Sequence, residues 1–253
     1  MRTMHWTVAL VLLRSFLLQG QEAPARPRFA VVSIKPTPAI KNGKTFHLAP
    51  DGGFRAGNYS LKDLIRLGWD VRNFQISGGP GWLDTEKYNV EVKPEAPFAA
   101  HSTEGFKLLG EMVQSVLEDR FQLKVHRQTK EMSVYYLVVG TGGPKLKRTG
   151  DATDTSTRMG DSEGHMWAIK FDMPLLARYL GGELERAVID RTGLDGVYDF
   201  ELKWSPDQKP TSTGDIGPSF STALREQLGL KLESGKGPVE TIVVDYAEKA
   251  SPN

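Results

Sequence analysis

Residues 58–93 constrain this chain most: N-Y-S-L-K-D-L-I-R-L-G-W-D-V-R-N-F-Q-I-S-G-G-P-G-W-L-D-T-E-K-Y-N-V-E-V-K. Leu61, Leu64, Ile65 and Gly68 recur at the spacing that places them on one helical face. Ser60 precedes them, and Asp63 follows it by three, so each side chain can satisfy a free N–H at the other's position. Val71–Ile76 reads as a strand. The glycines and proline of Ser77–Gly81 then require a tight loop, because glycine permits positive φ and proline fixes the turn. Tyr88, Val90 and Val92 alternate with Asn89, Glu91 and Lys93, the period of a half-buried strand. One helix followed by two strands buries a helix face on a sheet face.

The same plan is expected three more times. Leu108, Leu109, Met112, Val113, Val116 and Leu117 form a stripe at helical spacing. Alternation over Phe121–Val125 and an apolar run over Val134–Val139 supply the two strands that follow. Leu175, Leu176, Tyr179 and Leu180 form a third stripe behind Pro174, which suits a first helical turn. Short strands at Ala187–Ile189 and Tyr198–Leu202 follow it. Ala223, Leu224 and Leu228 form the last stripe, followed by a strand at Leu230–Leu232, a turn at Gly235-Lys236-Gly237-Pro238 and a strand at Thr241–Val244. Before all of these, Phe29–Ile34 reads as a strand stopped by Pro36, and Pro50-Asp51-Gly52 as a hairpin turn.

Two of the units share a signature. S-L-K-D-L-I-R leading to Y-N-V-E-V-K parallels P-L-L-A-R-Y-L leading to Y-D-F-E-L-K-W, and Glu111–Val139 parallels Leu224–Val244. The order A-B-A′-B′ points to an internal duplication. The expected fold class is α+β: two similar halves, each with two helix–strand–strand units packing helices on mostly antiparallel sheet. The halves are 26–140 and 165–253. Residues 141–164, rich in Gly, Thr, Ser, Asp and Lys, read as a flexible connector.

Residues 1–25 read as a signal peptide: Arg2, an apolar run Val8–Leu18 too short to span a bilayer comfortably, and Ala23-Pro24-Ala25 as a small-x-small cleavage site. An uncleaved anchor is the alternative. Export, to the periplasm or beyond, is the expectation. The chain has 32 basic and 31 acidic residues and no cysteine. The charge balance gives no footprint for nucleic acid. The lack of cysteine excludes disulfides, thiolate nucleophiles and cysteine-ligated metals.

No catalytic or metal motif stands out. The glycine loop at Ser77–Trp82 lacks phosphate-loop spacing, since a strand follows it and no lysine is placed. No two of His5, His47, His101, His126 and His165 have metal-ligand spacing. No serine lies in a G-x-S-x-G elbow. Neither a cofactor nor a metal is therefore expected. Trp82, Asp84, Asp190 and Tyr198, in or beside loops at matching positions of the two halves, are the candidate binding residues. The favoured reading is a non-catalytic binding or protein-interaction module of the cell envelope, its free strand edges open to an envelope protein or peptide. The alternative is an extracytoplasmic hydrolase acting on polymer, with the carboxylates of the Trp82–Asp84 and Asp190–Asp199 loops converging on one cleft.

Several stretches carry a resemblance: Phe29–Pro36, Leu61–Ile65, Q-I-S-G-G-P-G-W-L-D at Gln75–Asp84, D-R-F-Q-L-K-V-H-R at Asp119–Arg127, Gly143–Leu146, D-R-T-G-L-D-G-V-Y-D-F at Asp190–Phe200, and Leu224–Asp245. In this order they resemble the soil-associated bacterial family TIGR03435, also described as DUF3738. The resemblance implies an exported protein typical of Acidobacteria and similar soil bacteria. Some relatives carry the domain beside a BlaR1-like M56 metallopeptidase sensor, whose H-E-x-x-H is missing here. It implies no established activity. The helix–strand–strand units are also loosely similar to the short N-terminal domains of secretins and TonB receptors.

Overall fold

A computed structural model of the chain describes residues 28–38, 43–100, 103–151, 157–205 and 217–250. Residues 1–25, expected from the sequence to be a signal peptide, lie outside the described residues. The fold is α+β, with twelve strands and four helices among the described residues.

Three four-stranded sheets carry the chain. The first contains β1 (Phe29–Thr37), β2 (Thr45–Leu48), β3 (Phe54–Ser60) and β5 (Lys87–Pro94), in the order β1-β5-β3-β2. The hairpin expected at Pro50–Gly52 joins β2 to β3, closed by the Ala49 N–H donating to the Gly53 carbonyl at 2.7 Å. The third contains β7 (Lys147–Gly150), β8 (Arg158–Ser162), β9 (His165–Phe171) and β11 (Val197–Lys203), in the order β7-β11-β9-β8. Six added to each strand number of the first order gives the third. The second sheet lies between them, with the order β10-β6-β12-β4, and is made of β4 (Ile76–Gly78), β6 (Lys124–Val139), β10 (Val188–Asp190) and β12 (Leu230–Tyr246).

Helix α1 (Leu61–Trp69) starts as its sequence requires. The Ser60 hydroxyl accepts the Asp63 N–H at 3.1 Å, and the Asp63 carboxylate accepts the Ser60 N–H at 3.0 Å. Helix α2 (Thr103–Arg120) buries Leu109, Met112, Val113, Val116 and Leu117 of its stripe. It packs closely on α1, where a β-carbon on Gly110 would stand 3.1 Å from the Gly68 carbonyl oxygen. Helix α3 (Met173–Glu183) is capped by Asp172, which accepts the Leu175 N–H at 2.8 Å. Helix α4 (Phe220–Ala223) continues into a π turn over Leu224–Leu228.

Three expectations are corrected. The strands expected at Phe121–Val125 and Val134–Val139 are one 16-residue strand, β6, starting at Lys124. Their counterparts at Leu230–Leu232 and Thr241–Val244 are one 17-residue strand, β12. The units following α2 and α4 are thus helix and single strand, and Gly235–Pro238 is no turn: it pairs with Glu131–Val134 inside the ladder. The glycines serve side-chain packing instead, because Tyr136 covers both of them. Pro238 lies where β12 has no second neighbour among the described residues, since β4 covers only Ile242–Val244, and such an edge tolerates a missing N–H. Second, the described part of 141–164 is more than a connector, because it supplies β7 and β8. Third, the strand expected at Val71–Ile76 is largely replaced by a 3₁₀ turn at Asn73–Gln75, whose Gln75 side chain accepts the Arg72 N–H and donates to the Glu240 carbonyl.

The ribbon of β6 and β12 runs through both cores. One core joins α1, α2 and the first sheet to Leu123, Ile242 and Val244; the other joins α3, α4 and the third sheet to Leu137 and Leu230. Each core therefore contains residues from both halves of the chain. The halves also touch directly, where Arg178 of α3 pairs with Asp70 and the Arg72 guanidinium donates to the Arg178 carbonyl at 3.4 Å.

Candidate functional site

The residues singled out from the sequence do not form one site. Trp82 lies in a short 3₁₀ turn, Gly81–Leu83, half-buried against the first core. Asp84 follows it, 63% exposed, 3.5 Å from Lys62 Nζ. Asp190 ends β10 half-buried, and its carboxylate accepts the Thr192 N–H at 2.9 Å, which shapes the turn. Tyr198 is 6% exposed, a member of the second core, and its hydroxyl donates to the Asp195 carbonyl at 2.8 Å. Tyr198 is therefore a packing residue and offers no free surface to a ligand.

The register also separates the two loops. β4 pairs with the Val244 end of β12, whereas β10 pairs with β6 at Leu137, which faces Leu232. Leu232 and Val244 stand roughly 40 Å apart along one strand at ~3.3 Å per residue. The carboxylates of Asp84 and Asp190 do not share a cleft. His126, on the outward phase of β6, is exposed and bonded to Asp245 at 2.9 Å.

A different group of residues does converge, at one end of the third sheet. The end of β8 contributes Asp161 and Ser162, the turn after it Glu163, α3 contributes Tyr179 and Glu183, and Trp204 follows β11; together they line an open pocket of about 380 Å³. The local sequence explains each position. Gly164, at φ 79°, makes the tight β8–β9 turn and accepts the Trp204 N–H at 2.9 Å, which ties the tryptophan to the turn. Trp204 is held edge-on by Phe220, ring centroids 5.1 Å apart. Tyr179 and Glu183 are four apart on α3 and so share a helix face.

The pocket is electrostatically one-sided. Its lining has three carboxylates and no basic side chain. None of Asp161, Glu163 and Glu183 is in an ion pair among the described residues. The Tyr179 phenol is pushed far up, first by burial, then by the charges of Glu183 and Asp161. The described residues contain no cluster of His, Asp and Glu arranged to hold a metal ion.

Sequence reasoning missed this pocket. Tyr179 counts toward the α3 stripe and Trp204 toward the strand signature. The β8–β9 turn falls in a stretch that reads as connector. The Y-D-F-E-L-K-W motif offered one signal, since its tryptophan has no counterpart after Y-N-V-E-V-K, where Pro94 stands.

Three sheets, two of them alike in strand order and joined by a shared ribbon, define an α+β protein with no helix, among the described residues, long and apolar enough to cross a membrane. The chain belongs to the DUF3738 family, proteins of unknown function, whose model matches residues 62–247. No curated protein and no solved structure matches it.

Proposed function

We propose that this protein is an exported, non-catalytic binding module of the bacterial cell envelope that captures an extended peptide segment by strand addition. The observation that carries the reading is the edge of the third sheet. β8 pairs with β9 on one side only, among the described residues, and presents Met159 at 40% exposure. A strand edge offers a row of backbone donors and acceptors to a partner strand, and side-chain pockets beside it set the specificity. Met159 and Asp161 pair with Ala168 and Met166, both buried, so this helix-facing side of β8 leads along the edge into the pocket. The leader-like residues 1–25 support export, and the resemblance to soil-bacterial relatives supports an envelope setting, with a link to M56-type sensing. The matching strand orders of the first and third sheets support descent from a duplicated unit.

The test is a paired capture from native envelope extract of the source organism, with tagged residues 26–253 and the same chain carrying Met159→Lys. A charge on an edge strand discourages strand pairing. The expected result is one protein partner retained by the wild type and lost by the variant, with slowed amide exchange over Arg158–Ser162 in the complex. Equal capture by both chains, or none, overturns the reading.

A further inference from the structure

Alternation along a strand fixes what a docked segment would present to the pocket. Successive residues of a strand point to opposite faces, and directly opposed side chains on neighbouring strands lie about 5 Å apart. A strand laid beside β8 therefore sets one residue opposite Asp161 on the face that holds Tyr179 and Glu183. The residue two places away falls opposite Met159.

These positions have distinct chemistry. Met159 is an exposed apolar side chain that rewards an apolar neighbour. Around Asp161 stand Glu163 and Glu183, with the rings of Tyr179 and Trp204 as walls. Carboxylates without counter-ions repel one another and an added anion, and attract a cation. Aromatic faces add to that attraction through the negative face of the ring. Glu183 also feels Arg72, but the two are not ion-paired, so its carboxylate is still available. A long aliphatic stem with a cationic head matches a pocket that is apolar at its walls and charged at its rim.

Resting on the strand-addition reading, we propose that the pocket selects a lysine or arginine side chain of the docked segment, two residues from an apolar residue that packs on Met159. The ligand class is thus an extended peptide with the pattern apolar-x-basic, in either direction along β8. The carboxylates fix the charge, the rings receive the stem, and the β8 backbone fixes the register.

The experiment pans a random dodecapeptide display library on the intact purified chain, then measures the enriched peptides against the wild type and against Glu183→Gln, Asp161→Asn and Trp204→Ala. Both carboxylates lie on exposed positions, so their amides leave the core untouched. The expected result is enrichment of peptides with one fixed lysine or arginine two places from an apolar residue. Affinity then falls roughly ten- to a hundredfold in each carboxamide variant, as for loss of a hydrogen bond to a charged group. Replacement of the basic residue by norleucine lowers affinity for the wild type to the same degree. Peptides that slow amide exchange along β8 but carry no fixed basic residue overturn the pocket's role and leave strand addition standing. Peptides with a basic residue that bind all the variants equally also overturn it. Absence of any peptide that protects β8 overturns both proposals.

Discussion

The ring of Tyr136 lies directly over Gly235 on the neighbouring strand: a β-carbon at Gly235 would stand 2.5 Å from Tyr136 Cε2. The Arg191 guanidinium covers the same ring, 3.5 Å from its centroid, and the Tyr136 hydroxyl donates to the Lys236 carbonyl. The ring is held between a strand and a cation, so it cannot easily yield. Gly235→Ala should destabilise the fold by roughly 1–3 kcal/mol, the usual cost of forcing added volume into a packed site. Gly142→Ala meets nothing within 4 Å and should leave the urea midpoint unchanged. Equal midpoints for the two variants would contradict this account.

The two cores should melt together. Ile242, fully buried in the first core, and Leu230, fully buried in the second, belong to one strand. Calorimetry should show a single endotherm for the full chain. Ile242→Ala should cost about 2–5 kcal/mol and lower that single transition as a whole. Two resolved endotherms, with only one of them moved by the substitution, would show that the halves are independent.

The glycine loop after β4 offers a matched pair. Gly78 has φ 77°, and a β-carbon there would stand 2.6 Å from the Val244 carbonyl oxygen, a backbone atom that cannot swing away. Gly81 has open space around it and no positive φ. Gly78→Ala should therefore lose stability through both strain and clash. Gly81→Ala should be neutral, to within about 0.5 kcal/mol. Thermal midpoints of the two variants check the contrast, which fails if Gly81→Ala proves the more damaging.

Acid should weaken the start of α1. Burial by itself would raise the Asp63 carboxyl pKa. The bond from Lys44 Nζ at 2.6 Å and those from the Ser60 N–H and hydroxyl outweigh it, and the pKa lies below the ordinary carboxylate range. A depressed folded-state pKa gives stability that is present above the unfolded value, about 3.9, and lost as pH falls through the folded one. The advantage of the wild type over Asp63→Asn should thus shrink between neutral pH and about pH 2 in urea titrations. A constant difference would rule out this linkage. Ser60→Ala should cost about 0.5–2 kcal/mol at neutral pH.

What the sequence discloses here is what is local. The Ser60–Asp63 capping box, the Pro50–Gly53 hairpin turn and the alternation of Tyr88, Val90 and Val92 each depend on neighbours a few residues away, and each reappears in the structure. The central ribbon was hidden because Gly235-Lys236-Gly237-Pro238 has the chemistry of a turn. Only Tyr136 and Val134, about a hundred residues earlier, turn it into strand. β7 and β8 were hidden because their residues are polar edge residues, without the alternation that marks a half-buried strand. The pocket was hidden for a related reason: its rings come from a helix stripe and a strand end, and only the fold brings them to one turn.

The ribbon also sets a timetable. Ile242 and Val244 complete a core whose helices, α1 and α2, leave the ribosome more than a hundred residues earlier. Until β12 is available, those helices lack part of the surface they bury against, and β6 lacks the partner for its whole length. The first core cannot be completed before Ile242 and Val244 have emerged, whereas the second needs nothing beyond Leu232, so the end of the molecule made first is held open longest. The helices made earliest are therefore among the last to be sealed.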